Sequence, residues 1–140
     1  YTQVLWLDAV ERRYIEEVGS MNIFFVIDDS IVTPILTGSI LPGITRMSVI
    51  ELGKHWGLHV EERRITIDEV LKGLEDGSVT EVFGAGTAAV ISPVSILAYK
   101  GKDFKVGNEE TGPVAMRFYD HLTGIQYGRE SDPFGWLELI

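Results

Sequence analysis

The chain has 140 residues, a formal net charge of −9 and no cysteine. This length suits a single domain with one core, and the acidic balance argues against nucleic acid or an anionic membrane as a partner. Without cysteine, disulfides, thiolate nucleophiles and thiolate zinc sites are excluded.

Strand-forming residues dominate the first third of the chain. β-Branched and aromatic side chains predict strands at 4–7, 14–17 and 22–27. The polar run Asp28-Asp29-Ser30 predicts a turn, so that 22–34 forms a hairpin. Because the first strand begins so close to Tyr1, which is not an initiator methionine, we expect that a larger protein has lost its front.

Helices and strands alternate in the middle of the chain. Residues 45–56 carry apolar side chains at helical spacing, and Gly57 predicts the end of that helix. A strand at 60–65 follows. The Thr66 hydroxyl and the Glu69 carboxylate then predict a reciprocal capping box at the start of a second helix.

The last third predicts three more strands and a helix. The strands are at 79–83, 96–99 and 104–106, and the helix opens at Pro113. The resulting fold class is α/β. Hairpins interrupt the alternation of strands and helices, which argues against a simple doubly wound parallel sheet.

The segment 84–89 matches the glycine pattern of a dinucleotide-binding loop. Such a loop opens a helix, whereas the residues that follow here are β-branched and broken by Pro93. We therefore reject a nicotinamide cofactor. A tight turn that approaches a phosphate stays open, because glycines let backbone amides come close to an anion.

The run from Pro42 to Thr45 enters a helix directly, and the free amides of a first turn attract anions. The plain alternative is a loop with a threonine cap. Thr87 marks a second candidate anion site after the glycines. Two such sites suggest that one phosphate is held between them.

Other polar residues point to no further chemistry. Glu16 and Glu17 are adjacent in a predicted strand, so at most one of them is expected to face a site. His55 and His59 have the spacing of a helical metal pair, but Gly57 ends the helix between them and no third ligand is near. We predict no metal site.

Five runs carry a resemblance to a known family. They are, in chain order, QVLWLDA (3–9), IEEVGSMNIF (15–24), SILPGITR (39–46), EVFGAGTA (81–88) and IQYG (125–128). In identity and order they resemble the branched-chain aminotransferases, class IV enzymes that use pyridoxal 5'-phosphate, from the middle of those proteins to their C-terminus. The MNIF form and the IQYG ending favour the branched-chain members over other class IV enzymes.

This resemblance implies a D-amino-acid-aminotransferase-like fold (fold type IV), an α/β domain with a mixed-sheet pseudo-barrel. Residues 1–140 would be the C-terminal large domain, without the small N-terminal domain that closes over the substrate. The intact protein is expected to be a homodimer, cytoplasmic or, in a eukaryote, mitochondrial. It would move the amino group between leucine, isoleucine or valine and 2-oxoglutarate.

The resemblance also implies which residues bind the cofactor. Glu17 would pair with the pyridine nitrogen of pyridoxal phosphate and keep it protonated, so that the ring accepts electrons from the substrate. Ile44 and Thr45 would hold the phosphate at the start of the helix, and Thr87 would be its second clamp.

Three further residues are implied for the substrate. Ser20 and the amide of Ala88 would receive its carboxylate, and Met21 would form part of the side-chain pocket. Two positions depart from the family's usual residues: Ser20 replaces threonine, and Ala85 replaces threonine or serine. Ala85 therefore lacks a hydroxyl that the family usually has there.

In this family the lysine that forms the Schiff base with the cofactor precedes the strand at 4–7. No lysine of the chain, at 54, 72, 100, 102 or 105, occupies that position. We therefore expect no catalytic residue here and no activity of the chain alone. The alternatives are a D-amino-acid aminotransferase, an aminodeoxychorismate lyase, or a non-catalytic domain that binds phosphate.

Overall fold

The computed structural model describes residues 3–38, 40, 42–87, 90–107 and 112–127. Its strands are β1 (Leu5–Leu7), β2 (Ile15–Val18), β3 (Met21–Ile27), β4 (Ser30–Pro34), β5 (Val60–Arg63), β6 (Val79–Gly86), β7 (Val90–Pro93), β8 (Ile96–Tyr99) and β9 (Lys102–Lys105). Its helices are α1 (Ile44–His55), α2 (Ile67–Asp76) and α3 (Pro113–Gln126). None of these helices has the length and apolar character needed to cross a membrane. The mixture confirms the predicted α/β class.

The strand β3 is the centre of the main sheet, in which β1 to β7 are joined. β6 pairs with β3 along residues 22–27. β2 and β4, which pair with the two ends of β3, therefore share its other edge. Asp28 and Asp29 form the predicted turn between β3 and β4, with φ angles of 48° and 65°. Between the part of β3 that pairs with β2 and the part that pairs with β4, the Thr33 hydroxyl donates to the Ile23 carbonyl oxygen at 2.7 Å.

Helix α1 connects β4 to β5, which is the parallel pair of the sheet. Parallel neighbours need such a crossover, and it returns the chain to the same end of the sheet. The start of α1 consequently lies near the carboxyl end of β4. Gly57, with a φ of 80°, ends the helix region as predicted.

The two faces of the sheet carry separate apolar clusters. One cluster includes Ile23 and Phe25 of β3 and is packed by Val70 of α2. The other lies under α1 and α3 and includes Phe24 and Phe83, whose rings stack with centroids 5.3 Å apart. Because successive side chains of a strand alternate, β3 supplies both clusters and sits in the middle of the core.

The capping box predicted for α2 is half confirmed. The Thr66 hydroxyl accepts the Glu69 N–H at 3.1 Å. The reciprocal half is wrong, because the Glu69 carboxylate instead accepts two bonds from the Arg63 guanidinium, at 3.0 and 2.7 Å. A bidentate, charge-assisted pair is stronger than one bond to a neutral amide.

The structure differs from the prediction around β6 and β7. Gly84 and Gly86 lie inside β6 instead of forming a tight turn. A Cβ at Gly84 would stand 3.1 Å from the Met21 Sδ, and one at Gly86 would stand 2.8 Å from the Met21 Cγ, so these glycines make room for Met21. The strand β7 was not predicted, since Pro93 was used only as an argument against a helix. Pro93 is the last residue of β7, which pairs with β6 at an edge of the described sheet, where proline is tolerated. The element that follows β6 is a strand, whereas a dinucleotide-binding loop opens a helix.

Candidate active site

Glu17 belongs to a row of residues that crosses three strands. Its cross-strand neighbour on β3 is Asn22, and the neighbour of Asn22 on β6 is Ala85. Directly paired residues of antiparallel strands project to the same face. Ala85 belongs to the apolar cluster under α1 and α3. Glu17, which is half-buried, is therefore directed to the face on which α1 packs.

The start of α1 lies against the middle of this row. Its N-cap is Gly43, which has no side chain of its own to accept a first-turn amide. A Cβ at Gly43 would meet the carboxamide oxygen of Asn22, so glycine permits the close approach. The alternative of a threonine cap is wrong, because Thr45 lies within the helix. The amides of a first turn, together with the helix dipole, favour an anion.

The two segments expected to share one phosphate are in contact. The Thr45 hydroxyl donates to the Gly86 carbonyl oxygen at 3.3 Å. Thr87 follows directly, and its side chain is exposed. The Ile44 side chain is 83% exposed, so this residue can offer an anion only its backbone amide. The α1 start and the end of β6 thus form one corner, open to solvent.

A β-bulge alters the expectation for the two adjacent carboxylates. β1 pairs with β2 as Trp6 with Glu17 and Leu7 with Ile15, so Glu16 is an extra residue in β2. Glu16 and Glu17 both line a cavity of about 360 Å³, whose other lining residues are Trp6, Leu7, Ala9 and Gly19. The expectation that alternation turns one carboxylate away is wrong, because the bulge interrupts the alternation.

The structure describes two of the three residues expected to meet the substrate. Ser20 is exposed in the short turn between β2 and β3. Met21 begins β3, and its side chain lies across Gly84 and Gly86, in the cluster packed by α2. Ala88 lies outside the described residues. The roles given to these three residues stay predictions.

The loop between β1 and β2 is held by Asp8. Its carboxylate accepts the backbone N–H groups of Glu11, Arg13 and Tyr14 at 2.6, 2.9 and 2.8 Å. Burial by itself raises the pKa of Asp8. The hydrogen bonds from the loop amides together lower it by more, so the pKa is about 2. The same loop carries Ala9 into the wall of the cavity. Asp8 therefore fixes one side of the space next to Glu17.

The family model for amino-transferase class IV matches residues 1–97. The chain belongs to the class IV aminotransferases. Branched-chain-amino-acid aminotransferase 2 of Bacillus subtilis is 60% identical to it over 136 residues, 97% of this chain and 38% of that relative. The branched-chain-amino-acid aminotransferase of Mycobacterium tuberculosis is 52% identical, over 99% of this chain and 39% of that relative. The chain thus spans about two fifths of the length of these curated relatives.

Solved structures of class IV aminotransferases share the fold. The branched-chain amino acid aminotransferase from Escherichia coli has a TM-score of 0.81 and 37% identity, over 99% of this chain and 43% of that one. The corresponding T.th. enzyme, solved with pyridoxamine 5'-phosphate, has a TM-score of 0.81 and 34% identity, over 98% of this chain and 41% of that one. These matches confirm the fold type that the resemblance implied.

The residues of this class IV aminotransferase fit pyridoxal phosphate at both ends of the cofactor. The start of α1 suits a phosphate, and the Glu17 carboxylate suits a protonated ring nitrogen. With strands about 4.8 Å apart, Glu17 lies two strands, or about 10 Å, from Ala85 at the other end of the row. No lysine is among the described side chains that line the cavity beside Glu17.

Sequence reasoning missed two residues of the candidate site, Asn22 at the α1 start and Trp6 in the cavity beside Glu17. Asn22 is 6% exposed and lies against the α1 start. A polar residue within the apolar run of β3 was a usable signal, because buried polar groups need partners. Trp6 lines the cavity, and its indole N–H donates to the Gly19 carbonyl oxygen at 3.1 Å. No sequence signal could place Trp6 there, since its pairing depends on the bulge.

Proposed function

We propose that this chain, residues 1–140, is the C-terminal large domain of a branched-chain-amino-acid transaminase. The whole protein would use pyridoxal phosphate to move the amino group between leucine, isoleucine or valine and 2-oxoglutarate. The observation that carries the proposal is the row from Glu17 through Asn22 to Ala85, with the start of α1 and its N-cap Gly43 against it. The names of the relatives in Bacillus subtilis and Mycobacterium tuberculosis support the substrate class.

Pyridoxal phosphate, when bound, supplies a sink for the electrons released at the α-carbon of the amino acid. Glu17 would hold a proton on the ring nitrogen, because an opposite charge at contact distance stabilises the cationic form. The amides of Ile44 and Thr45 and the hydroxyl of Thr87 would bind the phosphate. Holding both ends fixes the ring relative to the substrate, which is a large part of catalysis by positioning.

The other parts of the site belong to the same proposal. Ser20 and the Ala88 amide would receive the substrate carboxylate, and Met21 would contact the branched side chain. The lysine that anchors the cofactor and the small domain that covers the substrate would come from the rest of the protein. A homodimer and a cytoplasmic location stay predictions.

The decisive test is Glu17→Gln in the whole protein. The change removes the negative charge beside the ring nitrogen but keeps the size of the side chain. We expect turnover of leucine with 2-oxoglutarate to fall roughly a hundredfold, which corresponds to about 3 kcal/mol in the activation barrier. Glu51→Gln, an exposed change on α1, is the matched control and should leave turnover unaltered.

Glu16→Gln sharpens this test, because Glu16 lines the same cavity. Glu16 lies in the bulge and does not pair with the row, so its change should slow turnover no more than about threefold, as for a residue outside the site. An effect at Glu16 equal to that at Glu17 would show that the wrong carboxylate has been assigned. Substrate profiling of the same protein separates branched-chain amino acids from D-amino acids and aminodeoxychorismate.

A further inference from the structure

Arg46 occupies a core-facing position in the first turn of α1. Helical spacing puts it in one stripe with Val49, Ile50 and Gly53, all of which are buried. The Arg46 side chain is only 3% exposed. Arginine is almost never fully buried unless it is paired. A guanidinium in an otherwise apolar stripe therefore calls for a specific explanation.

The contacts of Arg46 join the helix to both strands that it connects. Its Nη2 donates to the Pro34 carbonyl oxygen at 3.1 Å and to the Glu62 carboxylate at 2.8 Å. Pro34 is the last residue of β4, and Glu62 lies in β5, so one side chain ties the α1 start to the parallel pair. The register of β4 and β5 and the position of the helix start are thereby linked.

The positive charge of Arg46 is only partly offset. The Glu62 side chain is 40% exposed, so water screens much of its charge. Within the part of the chain that the structure describes, the Nε of Arg46 meets no acceptor. A buried donor without a partner costs stability, and apolar residues often replace a buried ion pair without loss. Stability alone therefore does not account for an arginine here.

Arg46 is the third residue of α1, so its side chain starts beside the first-turn amides. A Cβ built at the N-cap Gly43 would stand 3.9 Å from the Cβ of Arg46. Side chains of a helix lean toward its N-terminus, which directs the guanidinium to the end of the helix where the amides are free. The positive charge of Arg46 and its bonds to β4 and β5 therefore both lie near the corner that the α1 start forms with the end of β6.

We propose that Arg46 is a positioning residue for the phosphate of the cofactor. It fixes the first turn of α1 against β4 and β5 and adds positive charge below the amides, without touching the phosphate itself. The inference rests on the proposed function, since the phosphate meant is that of pyridoxal phosphate. Its consequence is selective: Arg46 strengthens the binding of a phosphorylated ligand and does not alter the binding of the ring.

The test compares two ligands that differ only in the phosphate. Pyridoxal phosphate and pyridoxal are titrated into the cofactor-free whole protein, as wild type and as Arg46→Met. We expect the dissociation constant for pyridoxal phosphate to rise about tenfold, or about 1.4 kcal/mol, and that for pyridoxal to stay within about twofold. Arg46→Lys, which keeps the charge but not the planar fork, should recover part of the loss.

Equal weakening of both ligands by Arg46→Met, or no weakening of either, would overturn the proposal. If Arg46→Met does not fold, Glu62→Ala replaces it, with its neighbour Glu61→Ala as the matched control. Glu61 contacts His59 and Arg63 instead of Arg46. Glu62→Ala should weaken pyridoxal phosphate about threefold and Glu61→Ala should not, because only Glu62→Ala releases Arg46 from β5. This loss of positioning outweighs the removal of the half-exposed, screened Glu62 charge. Equal effects of the two variants overturn the proposal. A wild-type protein that binds neither ligand would instead contradict the proposed function.

Discussion

The starts of α1 and α3 lie on the same face of the sheet, yet they are built in opposite ways. At α3, the Glu81 carboxylate of β6 accepts the amides of Val114 and Ala115 at 3.0 and 2.9 Å. At α1, the N-cap Gly43 brings no side chain to the helix amides. One helix start is closed by an anion of the protein's own, and at the other the N-cap residue is a glycine without a side chain.

The same backbone feature thus serves stability at α3 and, under the proposed function, binding at α1. Glu81 is 5% exposed, and a Cβ at Gly112 would meet its carboxylate, so packing fixes the closed start of α3. At α1 the space beside Gly43 is taken by the Asn22 carboxamide, which carries no charge. An anion from solution can therefore compete for the α1 start but not for the α3 start.

The largest effect on stability is expected at the closed start. Glu81→Ala removes the acceptor of two buried amides, and we expect the free energy of unfolding to fall by about 3 kcal/mol. Glu81→Gln keeps one accepting oxygen and should lose about half as much. Glu75→Ala, which removes only an exposed ion pair with Lys102, should cost no more than about 0.5 kcal/mol. Urea unfolding of the three variants checks the order, and a loss at Glu81 no larger than at Glu75 would contradict the comparison.

A smaller effect is expected at α2, where a threonine takes the place of the buried carboxylate. Thr66→Ala removes the acceptor of the Glu69 N–H and should lower the free energy of unfolding by about 1 kcal/mol. Thr66→Ser keeps the hydroxyl and should retain most of the stability. Thermal melts of both variants measure this, and equal losses would show that the methyl group of Thr66 matters more than its cap.

The start of α1 should be less sensitive still. Thr45→Val keeps the shape of the side chain and removes only the bond to the Gly86 carbonyl oxygen. We expect the free energy of unfolding to fall by about 0.5 kcal/mol, because the bond is long and only part-buried. Urea unfolding measures the change. A loss as large as that of Glu81→Ala would mean that the α1 start is as much a structural joint as the α3 start.

Asp8 holds a loop in the way that Glu81 holds the start of α3, by accepting backbone amides. Its pKa is lowered to about 2 from the ordinary 3.8, so its stabilising effect is present above pH 3.8 and is lost as the pH falls through about 2. We expect the Tyr14 amide resonance to shift in that acid range. In Asp8→Asn the loop should be looser at every pH and show no such transition. A wild-type transition near pH 3.8 would contradict the assigned contacts.

Much of the fold could be predicted from local pattern. The turn at Asp28-Asp29, the helix end at Gly57 and the Thr66 cap depend on a few consecutive residues, and each was found where expected. For the candidate site, the motif around Thr45 and the threonine after the glycines were predicted to come together, and the Thr45 hydroxyl reaches Gly86. The expectation that at most one of Glu16 and Glu17 faces a site rested on strand alternation, which the bulge in β2 interrupts.

By itself the sequence determined the class of fold, most of its elements and the family, because periodicity, caps and ordered motifs are written in neighbouring residues. Only the tertiary structure decided which groups meet across strands. It placed the Glu81 carboxylate at the start of α3 and paired Glu69 with Arg63 instead of with its own helix amide. It also put both Glu16 and Glu17 in the wall of one cavity. These contacts join different elements of the fold or depend on the register of a bulge. No local pattern carries that information, since register is fixed by the packing of the whole sheet.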